Sequence, residues 1–260
     1  MAVATLEPKD GTPIACVRSG AGPPLVYSHG LGIDHREFDL TVAPWLRQHF
    51  SVWAVERRGR GASGDSPVYA VEREFEDLAA VADAIHEPVH LYGLSFGATV
   101  VLGALPLMTN VHRAVLYDPR AFVGHDRESA TAWIESVQGE GEAKLMSLYT
   151  SVLADDDDRL GALREIARDP RLPATLPREA TALDKWTFDP SAYAGVLTPL
   201  LFLTGESPPV HHRTIELACA ALPHSQVTVL EGHGHVAGWT APELVARGII
   251  DFLQGAGSPE

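Results

Sequence analysis

His90-Leu91-Tyr92-Gly93-Leu94-Ser95-Phe96-Gly97-Ala98-Thr99 reads as a short apolar strand, a Gly-x-Ser-x-Gly pentapeptide and the start of an apolar helix. That order is the context a nucleophile elbow requires. The turn from strand to helix is so tight that the serine is held in a strained backbone conformation. Gly93 and Gly97 omit the side chains that would collide where strand and helix nearly touch. The Ser95 hydroxyl is expected at the tip of the turn. The helix N-terminus stands behind it, with the N–H of Phe96 free to face an anion. A glycine-rich strand–helix turn of no chemical consequence is the plainer alternative.

Outward from this stretch, strands and helices alternate. Leu25-Val26-Tyr27-Ser28 is a buried strand running into His29-Gly30-Leu31-Gly32, a loop whose glycines let backbone approach a ligand. By position, the Leu31 N–H is the second donor of an oxyanion site. Residues 1–20 read as an opening hairpin about Asp10-Gly11-Thr12-Pro13. Phe38 to His49 fits one helix, with Phe38, Val42, Trp45 and Leu46 on one face. Ser51 to Val55 is a strand, Val71 to His86 an amphipathic helix, and Arg113 to Tyr117 a strand closed by Asp118-Pro119. This alternation predicts a parallel sheet with helices on both faces.

Between residues 120 and 190 strand signals vanish, and helices are expected at about 127–138, 141–154, 157–168 and 177–186. An insert with an apolar side can cover a site as a lid. Asp155-Asp156-Asp157-Asp158 suits a helix start rather than a calcium loop, lacking the alternating acids and closing glutamate. The sheet resumes at Pro199 to Gly205, and Gln226 to Leu230 is the last strand.

The chain has 260 residues, 45% hydrophobic and 21% charged, with a formal net charge of −14. Those values suit one large α/β domain or two small ones with a sizeable core and exclude a surface built to bind the nucleic-acid backbone. Glu56-Arg57-Arg58-Gly59-Arg60-Gly61 lacks the pattern of a phosphate loop, so its arginines are expected to pair with nearby acids. Cys16 and Cys219, the two cysteines, make neither a disulfide framework nor a zinc site and suggest a reducing compartment. Met1 to Asp10 lacks a secretory pattern and no stretch is apolar enough to span a membrane, so a cytoplasmic location is expected.

A serine nucleophile needs a base oriented by a carboxylate. Among twelve histidines, His235 follows the last strand in a glycine-flanked loop at the sheet's C-terminal edge, where open α/β sheets keep their sites. His233 is its rival. His211, His212, His233 and His235 could suggest a metal cluster, but no carboxylate or cysteine stands at ligand spacing, so no metal is expected.

Four stretches in this order, His29-Gly30-Leu31-Gly32, Arg58-Gly59-Arg60-Gly61-Ala62-Ser63, Gly93 to Gly97 and Gly232-His233-Gly234-His235, resemble the α/β-hydrolase superfamily, in its serine-nucleophile branch with a helical cap. The resemblance implies an α/β-hydrolase fold: a mostly parallel eight-stranded sheet flanked by helices, with a core of residues 1–119 and 191–260 and a cap of residues 120–190. It implies Ser95 as nucleophile, His235 as base, and the N–H groups of Leu31 and Phe96 as the oxyanion hole. Family members usually carry the acid just after the seventh strand, yet Gly205-Glu206-Ser207-Pro208-Pro209 puts proline in that slot. Some relatives take the acid from the end of the sixth strand, where Asp118 stands, so Asp118 is assigned as the acid and Glu206 is the alternative.

The expected activity is cleavage of an ester or related acyl bond of a small, partly hydrophobic substrate, without a cofactor and in a monomer or homodimer. Lactone opening, thioester cleavage, carbon–carbon bond hydrolysis, cofactor-free perhydrolysis, biosynthetic tailoring and low-turnover ligand binding use the same fold.

Overall fold

The computed structural model describes residues 2–120 and 156–255, together with residues 143, 146, 150 and 153. Eight strands, β1 (Ala2–Leu6), β2 (Ile14–Ser19), β3 (Pro24–Ser28), β4 (Ser51–Glu56), β5 (Val89–Leu94), β6 (Val111–Tyr117), β7 (Leu200–Thr204) and β8 (Ser225–Val229), form one sheet in the order β1-β2-β4-β3-β5-β6-β7-β8. β2 pairs antiparallel with β1 and β4, and every other pairing is parallel. Among the described residues the helices are α1 (Arg36–Leu40), α2 (Ala43–Leu46), α3 (Val71–Ala84), α4 (Phe96–Ala104), α5 (Asp157–Ala167), α6 (Leu172–Lys185), α7 (Pro209–Ala221), α8 (Ala237–Thr240) and α9 (Pro242–Leu253).

The central strands are buried on both faces, and their apolar runs divide by alternation. Val26, Leu91, Leu116 and Phe202 join the cluster with α3, α4 and α7. Their neighbours Tyr27, Tyr92, Tyr117 and Leu203 join the cluster with α1, α2 and α9 on the other face. A one-residue slip would swap the two sets. Leu or Phe side chains contribute about 1.5–3 kcal/mol each on burial, so the register is firmly specified.

One expectation is corrected. Phe38 to His49 is not a single helix but the short pair α1 and α2, with a break at Thr41. The Thr41 hydroxyl donates to the Glu37 carbonyl at 3.1 Å, and Pro44 stands in the first turn of α2, where its missing N–H leaves no ladder bond unmade. The apolar spacing was right because both short helices point the same residues inward.

α5 and α6 lie between β6 and β7. α6 begins at Leu172, five residues before the expected start, and keeps Pro177 in its interior. The helices expected at about 127–138 and 141–154 lie outside the described residues, apart from residues 143, 146, 150 and 153. No helix among the described residues is long and apolar enough to cross a membrane.

Candidate active site

β5 delivers Ser95. The residue sits at φ +54° and ψ −114°, between strand and helix, and its N–H donates to the Tyr117 carbonyl at 2.8 Å. A β-carbon on Gly97 would lie 2.0 Å from the Ser28 carbonyl oxygen, and one on Gly93 would lie 2.6 Å from the Ala98 Cα. Both glycines are therefore required by backbone that cannot retreat, not by preference. Positive φ in a non-glycine residue costs of order 1–3 kcal/mol and persists only where the surroundings enforce it.

β6 delivers Asp118, also at positive φ (+48°). Its N–H donates to the Leu203 carbonyl at 2.9 Å, which fixes the turn against β7. The carboxylate is fully buried. The loop after β8 delivers His235. It is drawn tight to the β7 turn, since a β-carbon on Gly205 would meet the His233 carbonyl oxygen at 1.9 Å. Tyr117 adds a second tie, donating its hydroxyl to the Gly234 carbonyl.

These three loops bring Ser95, His235 and Asp118 together. The His235 Nδ1–H donates to Asp118 Oδ2 at 2.9 Å, which leaves Nε2 unprotonated to accept the Ser95 hydroxyl at 3.0 Å. Burial alone would raise the Asp118 pKa. The hydrogen bond and charge of His235, followed by the Ser207 hydroxyl, outweigh it, and the carboxyl lies below its ordinary value. The group is therefore ionised at neutral pH.

The alternative assignments part here. The carboxylate that meets His235 belongs to Asp118, whereas Glu206 is exposed. His233 serves the turn, its carbonyl accepting the Glu206 N–H at 2.6 Å. Leu31 and Phe96 line the same cavity as Ser95, and Phe96 opens α4, so its N–H has no carbonyl four residues earlier within the helix.

Two neighbours of Asp118 were not singled out for it in the sequence. The Ser207 hydroxyl donates to the same Oδ2 that His235 reaches. His211, on α7, donates its Nδ1–H to the Asp118 carbonyl at 2.9 Å and stacks on the His235 ring. Burial, then the charge of His235, pulls its pKa down to about 4, so it is neutral. Its signal was weak: a histidine two residues after a proline pair reads as an ordinary helix start.

Asp118, His211 and His235 are also a trio whose donor atoms lie within 4.8 Å of one another. The Nδ1 atoms of both rings already serve hydrogen bonds, that of His235 to the carboxylate and that of His211 to the carbonyl. A metal held there would displace the proton that keeps His235 facing Ser95.

The site opens into a cavity of about 1330 Å³ whose apolar wall includes Leu31, Ile33, Leu94, Phe96, Leu217 and Trp239. Leu183 of α6 reaches it from the segment between β6 and β7. The arginines of the β4 loop pair with acids as expected and leave no phosphate cradle: Arg58 with Asp77 at 2.8 Å and Asp10 at 3.1 Å, Arg57 with Glu74 at 2.9 Å. Burial opposes the Arg57 charge, but Glu74 and Glu179 restore it and leave its pKa above the ordinary value.

Residues 25–248 match the family model described as the alpha/beta hydrolase family. The chain belongs to that family. An alpha/beta hydrolase from Sphaerobacter thermophilus is 30% identical, with 96% of this chain and 100% of that one covered and a TM-score of 0.73. The esterase from Exiguobacterium antarcticum shares the fold at a TM-score of 0.83 and 19% identity, covering 96% of this chain and 99% of its own. A pimeloyl-[acyl-carrier protein] methyl ester esterase from Methylococcus capsulatus is 38% identical over 87 residues, 33% of this chain and 32% of its own. The match thus spans about a third of that curated relative's length. The fold of this alpha/beta hydrolase family member positions the three loops just described.

Proposed function

We propose that this hydrolase cleaves an ester or related acyl bond of a small, partly hydrophobic substrate through an acyl-enzyme on Ser95. The observation that carries the reading is the unbroken hydrogen-bond series from buried Asp118 through His235 to Ser95. Ser95 Oγ attacks the acyl carbonyl as its proton passes to His235 Nε2. The buried Asp118 carboxylate stabilises the imidazolium so formed. The carbonyl oxygen becomes an oxyanion held by the N–H groups of Leu31 and Phe96. Collapse expels the alcohol, which takes the proton from His235. Water then attacks the acyl group while His235 accepts its proton, and the acid leaves with Ser95 restored.

The apolar cavity wall supports a hydrophobic acyl or alcohol part. Residues 120–190 would act as the cap over the core of 1–119 and 191–260, a role supported by Leu183 at the cavity. Hydrolysis of p-nitrophenyl butyrate tests the reading. Ser95→Ala is expected to lower kcat by several orders of magnitude, and wild-type turnover in that variant would contradict it. A panel of esters, lactones, thioesters and vinylogous diketones then selects the bond.

A further inference from the structure

The Gly30 carbonyl belongs to the peptide that carries the Leu31 N–H, and it is held by two donors. His29 Nδ1 lies 2.9 Å from it and Arg57 Nη1 lies 3.2 Å from it. A carbonyl only accepts, so His29 is the Nδ1–H tautomer, and its Nε2 accepts the Arg57 backbone N–H at 3.4 Å. In a planar trans peptide the N–H points opposite the C=O. Fixing the Gly30 carbonyl toward Arg57 therefore fixes the Leu31 N–H away from it. Gly30, Leu31 and Ser95 line the cavity, and Arg57 does not. The same guanidinium lies 4.3 Å from the centroid of the Phe96 ring, the residue that supplies the other donor.

Arg57 is in turn fixed by acids from two elements. Its Nε is 2.9 Å from Glu74 of α3, and its Nη2 is 2.8 Å from Glu179 of α6. Glu179 also binds Arg60 Nη2 at 2.8 Å. The side chains of Arg57, Glu74, Arg60 and Glu179 are all at most 2% exposed. Two positive and two negative charges balance in this buried group, and removing any member strands another.

We infer that Arg57 is the positioning residue of the oxyanion hole, holding the Leu31 N–H in its orientation and backing Phe96, and that Glu179 makes this alignment depend on the seating of α6. The inference rests on the serine-hydrolase reading above. It assigns no chemical step to Arg57. It assigns the arginine the orientation of a dipole that meets negative charge only once the oxyanion forms. Loss of that orientation should weaken the transition state and leave substrate binding nearly intact.

The test is steady-state kinetics on p-nitrophenyl butyrate, with inhibition by a trifluoromethyl ketone whose serine adduct carries an oxyanion. Removing an oxyanion donor outright lowers kcat by about 10²–10³, so loosening one in Arg57→Lys should lower kcat about 10–100-fold. KM should stay within about threefold and the inhibitor Ki should rise by the same factor as kcat falls. Arg58→Lys is the control: it breaks an equally buried pair with Asp77, but Arg58 donates to neither Gly30 nor Phe96. It should lower Tm and keep kcat within about threefold.

The inference is overturned by an unchanged kcat in folded Arg57→Lys, by a fall in kcat without a rise in Ki, or by an equal loss in Arg58→Lys. If Arg57→Lys does not fold, Glu179→Gln is read by the same two quantities, with a fall in kcat of about fivefold or more expected and no fall overturning it. Ser95→Ala separates the two claims. If it keeps turnover, the hydrolase reading falls. If it loses turnover while Arg57→Lys keeps it, only this inference falls.

Discussion

The imidazoles of His211 and His235 lie face to face, ring centroids 4.7 Å apart and 26° from parallel. Only His235 reaches Ser95, and the difference is set by what each Nδ1 meets: a carboxylate for His235, a main-chain carbonyl for His211. His211 is a buried neutral spacer that fills the side of the His235 ring and ties α7 to the end of β6.

That role has a pH signature. The pKa of His211 falls to about 4, chiefly through burial, so between pH 6.5 and 4 the unfolded chain holds the proton that the folded chain refuses. Stability is lost as pH falls through this window, by about 2 kcal/mol at pH 5. His90, at about 4, acts in the same direction, whereas Glu37, raised to about 7, and Asp77, raised to about 6, act in the opposite one. Comparison with His211→Phe isolates the one group. From pH 7 to pH 5, urea unfolding of the variant should lose about 2 kcal/mol less than that of the wild type. Equal losses would contradict the neutral, buried state of His211.

The acid can be tested by three substitutions at one loop cluster. Asp118→Asn should lower kcat by three to four orders of magnitude, roughly, because an amide can donate to His235 and favour the wrong tautomer. Glu206→Gln should leave kcat within about twofold, since that side chain is exposed and the carboxylate bonded to His235 is that of Asp118. Ser207→Ala removes one donor to the carboxylate, so the Asp118 pKa should rise toward its ordinary value and kcat/KM should fall several-fold. A large loss in Glu206→Gln with little in Asp118→Asn would reverse the assignment.

Two glycines predict opposite signs. Gly97→Ala puts a methyl 2.0 Å from the Ser28 carbonyl oxygen and 2.6 Å from that of His29. Both are backbone, so the elbow must open, and a loss of more than about 3 kcal/mol or insoluble protein is expected. Gly161, inside α5, has no neighbouring atom within 4 Å of where a methyl would stand. Gly161→Ala should add about 0.5–1 kcal/mol through helix propensity alone. Thermal unfolding of both variants checks the pair.

What could be read from the sequence was what is local. Gly93 crowds a turn made of its own neighbours Gly97 and Ala98, so its place in the pentapeptide carries that geometry, whereas the backbone that excludes a side chain at Gly97 is that of Ser28 and His29, at the end of β3. Pro208 after β7 removed the usual acid slot and pointed to Asp118, because a proline has no carboxylate to offer. The ties of Ser207 and His211 to Asp118 were not legible because the partners lie 89 and 93 residues apart, at the end of a different strand. The arginines after β4 were expected to pair with acids, but no pattern announces that Glu179, more than a hundred residues on, would meet both Arg57 and Arg60. Likewise the apolar spacing from Phe38 to Leu46 suits one helix or two, and the Thr41 hydroxyl, turned back onto the chain, selects two.

The most direct trial of the account is covalent labelling with a fluorophosphonate, read by intact mass and then by peptide mapping. A serine activated by its hydrogen bond to His235 should take up a single adduct, mapped to the peptide bearing Ser95, and Ser95→Ala should take up none. An unlabelled wild-type protein, or equal labelling of the variant, would contradict a nucleophile at residue 95.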